Sequence, residues 1–171
     1  MKEQRFRTDV LPLKNELFRL ALRITLNHAE AEDVVQETMI RVWNRREQWD
    51  EIESIEAFCL TICRNLALDS KKRMDNRSET LDESFDRPDS SPTADPEQQT
   101  VRRDQLRFVR ELIDQLPEKQ RTCMQLRDIE AHSYKEIAAV MNITEQQVKV
   151  NIFRARQAIK QMFQNKAEHG L

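Results

Sequence analysis

The chain has 171 residues, a formal net charge of −2, 34% charged side chains and a single glycine, Gly170. That length suits one medium domain or two small ones. No apolar run approaches the roughly 18 residues a membrane span needs, and the charged start Met1-Lys2-Glu3-Gln4-Arg5 does not read as a secretory leader, which points to the cytoplasm. Scarce glycine and the lack of strand-like runs bounded by turn residues exclude a turn-rich β fold and predict an all-α protein.

Val10, Leu13, Leu17, Leu20 and Ile24 recur at steps of three and four, which predicts a first helix from Val10 to Leu26 with one buried stripe. Pro12 falls in its first turn, where a missing N–H costs little. A second helix is predicted from Ala29 to Gln48, with Ala31, Val34, Val35, Thr38 and Val42 inward and Trp43 and Trp49 near its end. A third runs from an N-cap at Ser54 to Met74, with Ile55, Phe58, Ile62 and Leu66 inward.

The composition then changes. Residues 1–73 carry 13 basic and 13 acidic side chains, but residues 74–100 carry 2 basic and 8 acidic. Pro88, Pro92 and Pro96 punctuate this stretch, and no apolar period runs through it. Residues 76–99 are therefore expected to be a flexible acidic linker between a domain at 1–75 and a domain at 100–171.

Residues 101–171 carry 13 basic and 9 acidic side chains, net +4. Helix is predicted to resume near Pro96-Glu97, with Leu106, Val109, Ile113 and Leu116 as its stripe, and Pro117 is placed to open the next helix. Ser133 with Glu136, and Thr144 with Gln147, have capping-box spacing. They bracket a short helix, Tyr134 to Met141, a turn at Asn142-Ile143, and a longer helix, which together have helix-turn-helix form. Asn142 stands where left-handed φ is needed, a conformation Asn tolerates well.

From Gln146 to Lys166 the last helix has five bases and no acid. On a helical wheel Val148, Ile152, Ala155, Ile159 and Phe163 share the inner side. Gln146, Gln147, Val150, Phe153, Arg154 and Gln157 share the outer side, flanked by Lys149 and Asn151. Amide and guanidinium groups on such a face can read base edges in a major groove, and the basic run suits a polyanion. Asp33, Gln36 and Glu37 likewise share a face of the second helix.

Cys59, Cys63 and Cys123 do not form a disulfide framework. His28, His132 and His169 lack ligand spacing, so structural thiols and no metal are expected. No Gly-rich phosphate loop or nucleophile elbow is present, so no catalytic residue, cofactor or small-molecule substrate is expected.

The order Leu116-Pro-Glu-Lys-Gln-Arg-Thr-Cys, Leu126-Arg-Asp-Ile-Glu, Ser133-Tyr-Lys-Glu-Ile-Ala, Val148-Lys and Phe153-Arg-Ala-Arg156 resembles region 4 of the extracytoplasmic-function (ECF) sigma factors. Ala31-Glu-Asp-Val-Val-Gln-Glu-Thr-Met-Ile-Arg-Val-Trp43 resembles their region 2.2, and Ile62-Cys-Arg-Asn-Leu-Ala-Leu-Asp69 with Lys71-Lys-Arg73 resembles region 2.4. The resemblance implies a transcription-initiation subunit with no catalysis of its own. Lys149, Val150, Asn151, Phe153 and Arg154 would contact the −35 promoter element. Arg64, Asn65 and Lys72 would lie near the −10 strand, and the segment between Trp49 and Phe58 would hold a flipped base. Asp33, Gln36 and Glu37 would dock the β′ clamp helices of core RNA polymerase, whose β flap would be a second contact. An anti-sigma factor is a further implied partner. A stand-alone helix-turn-helix repressor would account for the C-terminal half, though not for the first domain, and a small hydrolase is the remote alternative.

Overall fold

The computed structural model describes residues 1–78 and 98–168, and every regular element in them is helical. Helix begins well before Val10. Helix α1 (Lys2–Arg5), a π-turn over Phe6–Val10, a 3₁₀ turn over Leu11–Leu13 and α2 (Lys14–Thr25) follow without a break. Pro12 explains the irregular middle. It has no N–H for the carbonyl one turn back, so the ladder is redrawn there, and Leu11 N–H reaches back to the Phe6 carbonyl. Lys2 pairs with Glu47, and Arg5 pairs with Asp50 at 3.0 Å, pinning this early segment down.

Leu26 ends α2 in the left-handed region at φ 56°, and Asn27 caps α3 (His28–Asn44) by accepting from Glu30 N–H at 3.0 Å. The second helix thus stops short of Gln48, and a 3₁₀ turn over Arg46–Glu51 takes its place. That turn buries Trp49 completely, with its indole N–H donating to the Val42 carbonyl at 3.1 Å. Phe6 stacks on Trp49 and meets Trp43 edge-on.

Ser54 caps α4 (Ile55–Ser78) through Ala57 N–H at 3.1 Å. The expected inner residues Ile55, Phe58, Ile62 and Leu66 are only half-buried. Cys59, Leu60, Cys63, Arg64, Ala67 and Ser70 are the buried ones. The reason is that α4 is packed on two sides, against α2 and α3 on one and against the C-terminal half on the other. A helix covered twice has no single apolar stripe to read.

The C-terminal half holds α5 (Gln98–Asp114), α6 (Glu118–Met124), a π-turn over Gln125–Ile129, α7 (Tyr134–Met141) and α8 (Glu145–Glu168). Leu112 and Leu116 are buried, but Leu106 and Val109, expected to face inward, are 57% and 40% exposed. Only the end of α5 reaches the core, and the rest touches α8 through Phe108 and Phe163, ring centroids 5.7 Å apart. Pro117 is the N-cap of α6 rather than its first helical residue. Arg121 secures this junction by donating to the carbonyls of Asp114 and Leu116.

Both halves share one apolar core. Val10, Leu17, Leu20, Ile24, Cys63 and Ala67 belong to the same buried cluster as Cys123, Leu126, Ile137, Val140 and Ile152. Helix α7 lies on α4 and α6 lies on α2. The expected linker at 76–99 is shorter at both ends, because α4 runs on to Ser78 and α5 starts at Gln98. Its remainder, and His169, lie outside the described residues. Among the described residues no helix is long and apolar enough to cross a membrane.

Candidate nucleic-acid interface

The helix-turn-helix is built by local chemistry. Ser133 accepts from Glu136 N–H at 3.1 Å to start α7. Asn142 ends it in the left-handed region at φ 55°. Thr144 and Gln147 then close a reciprocal box: Gln147 N–H donates to Thr144 Oγ1 at 3.1 Å, and Thr144 N–H donates to Gln147 Oε1 at 2.9 Å. These bonds fix where α8 starts and therefore which side faces out.

Val148, Ile152 and Ala155 form the buried side of α8. Gln146, Gln147, Lys149, Phe153 and Arg154 are exposed, while Val150 and Asn151 are half-buried. Phe153 leaves 63% of its surface to solvent amid these polar and charged groups. Two predicted contacts are partly committed to the fold: Gln147 uses its carbonyl oxygen in the cap, and Asn151 donates back to the Gln147 carbonyl at 2.8 Å. The Tyr134 ring, which composition did not single out, carries two cations, Arg127 at 4.3 Å and Lys149 at 5.4 Å from its centroid. Arg156, also unpredicted, forks onto Asp128.

In the N-terminal half, Asn65 and Lys72 are exposed on one side of α4. Arg64 is not with them. It is 8% exposed and donates twice to the Glu118 carboxylate of α6, at 3.2 and 3.1 Å. One helical residue is a 100° rotation, enough to turn Arg64 from the Asn65 face toward the other half. Asp33 and Gln36 are exposed on α3 and Glu37 is half-buried, paired with Arg41 at 3.0 Å. Ile40, 53% exposed, sits among them, and its place seven residues beyond Asp33 was the signal for it. Trp49, at the start of the segment expected to hold a base, is sealed inside.

His132 stands apart from the reading face. Its Nδ1 donates to Glu136 at 2.7 Å, its Nε2 donates to Glu16, and Glu56 lies 3.6 Å away. The Glu16 hydrogen bond, above all, lifts the imidazole pKa to about 9 against the opposing effect of burial. Burial pushes the Glu16 carboxyl up, but the His132 hydrogen bond and charge bring it below its ordinary value. Glu56 goes the other way, raised by burial and by the neighbouring Glu16 charge. Glu16, Glu56 and His132 bring three potential ligand atoms within 4.8 Å. With the imidazole protonated and the Glu16 carboxyl ionised, the three form a cluster of opposite charges. Burial raises Cys59 and Cys63 to about 12 and Cys123 to about 11, far from the thiolate form.

A family model described as Sigma-70 region 2 matches residues 10–77, and one described as Sigma-70, region 4 matches residues 108–159. The chain is 34% identical over 150 residues to the ECF RNA polymerase sigma factor SigE of Mycolicibacterium smegmatis, covering 85% of this chain and 56% of that protein. It is 30% identical over 145 residues to the ECF RNA polymerase sigma factor SigL of Mycobacterium tuberculosis, covering 84% and 80%. The fold resembles the sigma factor RpoE of Bartonella quintana in its complex with the anti-sigma factor NepR, with a TM-score of 0.75 at 21% identity over 93% of this chain and 96% of that one. CnrH in complex with the cytosolic domain of CnrY gives a TM-score of 0.71 at 21% identity, over 95% and 90%.

Proposed function

This chain belongs to the ECF class of RNA polymerase sigma factors, which direct transcription initiation, and from that premise we propose a residue-level division of labour. Helix α8 reads the −35 element as a duplex, with Gln146, Lys149, Phe153 and Arg154 foremost and Gln147, Val150 and Asn151 beside them. Asn65, Lys72 and Arg64 of α4 serve the −10 strand. Asp33, Gln36 and Glu37 of α3 dock on the β′ clamp helices of core polymerase, with Ile40 adding an apolar contact at the centre. The C-terminal half also meets the β flap. The protein catalyses nothing itself, acts in the cytoplasm beside polymerase, and takes an anti-sigma factor as a further partner, as RpoE of Bartonella quintana does in its complex with NepR.

The observation that carries this reading is the outward face of α8. An exposed phenylalanine lies among amide, ammonium and guanidinium groups, directly behind a reciprocal cap that fixes the helix. Guanidinium and amide groups pair with purine edges, and a ring of this kind packs on thymine methyls or sugars. The test is run-off transcription by purified core polymerase and this chain on a library of genomic fragments. Discrete start sites sharing two upstream elements are expected. Failure to associate with core polymerase at low salt rejects the assignment, even if the chain binds duplex DNA alone.

A further inference from the structure

We propose that Glu118 stands in for the promoter strand at Arg64, so that the C-terminal half and the −10 strand compete for one guanidinium, with the ion cluster around His132 holding the competitor in place. The inference rests on the reading of α4 and α8 as contacts to two promoter elements.

Geometry makes opening necessary. Elements centred near −10 and −35 are about 25 base pairs apart, roughly 85 Å along B-form DNA. A compact chain of this length has a radius of gyration of about 16 Å. The closed arrangement, in which α7 lies on α4 and α6 on α2, therefore cannot touch both elements. The covalent connection from Ser78 to Gln98 permits separation, since its residues reach at most about 65 Å.

Around the apolar core that the halves share, the closed interface is ionic, and that part of it suits a reversible contact. Among the described residues, ionic links cross it from Arg64 to Glu118, from Arg23 to Asp114 at 3.1 Å, from Arg19 to Glu130, and from His132 to Glu16 and Glu56. Two carboxylate oxygens on a guanidinium fork reproduce the recognition of a phosphate, so Glu118 occupies what a strand phosphate needs. Buried ion pairs nearly break even between attraction and desolvation, unlike apolar contact. Each charge released here regains water or meets a new partner. His132 is the exception. Glu16 on α2, Glu56 on α4 and Glu136 on α7 surround it, Arg127 donates to its carbonyl at 2.9 Å, and Arg19 lies by Glu16 and Glu130. Removing its cation leaves Glu16, Glu56 and Glu136 facing one another without the charge that holds them together, which disfavours closure.

The test uses the full chain without polymerase. Small-angle X-ray scattering reports closure, and anisotropy of a fluorescein-labelled mixed-sequence single-stranded 12-mer reports strand binding. Glu118→Gln is expected to tighten 12-mer binding at least fivefold, and Arg64→Ala with Glu118→Gln together to abolish that gain. His132→Ala is expected to enlarge the radius of gyration by several ångströms. Should that variant fail to fold, Arg19→Glu is expected to open the chain and Arg19→Glu with Glu130→Arg to close it again. If all variants keep the wild-type radius, the ionic clamp is wrong. If the chain opens but Glu118→Gln gains nothing, or gains equally without Arg64, the competition is wrong, and Arg64 with it loses its place at the strand, whatever run-off transcription shows.

Discussion

Arg154 and Asp33 are exposed, and no hydrogen bond or ion pair among the described residues involves their side chains, so their substitutions separate function from stability. Arg154→Ala is expected to leave thermal stability within about 0.5 kcal/mol of wild type. It is expected to cost roughly 1–3 kcal/mol at the −35 element, seen as lost run-off product on intact templates and no further loss on templates with that element scrambled. Asp33→Lys is expected to weaken core-polymerase binding about tenfold or more by reversing a charge on the docking face, with an unchanged circular-dichroism spectrum. Retained affinity rejects that face. The side of α3 and α8 that they occupy was legible in the sequence, because helical spacing alone decides it. The ionic partners of Arg64 and His132 were not. These stand 54 and 116 residues away, and no local pattern announces such pairings.

At the scale of single elements, what was legible is what the backbone decides locally. The left-handed Asn142 and the Thr144–Gln147 box lie where the sequence placed them, because each hydrogen bond spans three residues. Thr144→Ala removes the oxygen that Gln147 N–H needs, and should lower unfolding free energy by about 1 kcal/mol in urea titrations. Promoter binding should fall as well, since the first turn of α8 frays. Misreadings arose where tertiary packing overrode periodicity. Leu106 and Val109 keep apolar spacing on α5 yet meet no core. In α4 the close approach of neighbours on two sides is made by small residues, Cys59, Cys63 and Ala67, rather than by the larger stripe. The 3₁₀ turn that seals Trp49 ends the second helix earlier than its pattern suggested.

For the whole molecule, the pH dependence of stability follows from the histidine at the centre of the closed body. The pKa of His132 is about 9 in the structure, against 6.5 for a free imidazole, chiefly because Glu16 accepts a hydrogen bond from its protonated ring. Its contribution is therefore complete below about pH 6.5 and disappears as pH climbs through about 9. Glu16 and Glu136 sit below their ordinary values, so acid acts in the opposite sense, removing their support as they protonate. The melting temperature of the wild type is expected to fall between pH 7 and pH 9.5, and that of His132→Gln to stay nearly level. Parallel slopes contradict the assignment. Scarce glycine adds an opportunity at the residue just before that histidine. Ala131 holds φ at 62°, where a β-carbon crowds the following carbonyl, and its side chain is exposed. Relief of that crowding by Ala131→Gly outweighs the extra freedom of the unfolded chain by about 0.5 kcal/mol. That amounts to roughly 1–2 °C of heat tolerance, an improvement open to an engineer outside the residues proposed to meet DNA or polymerase.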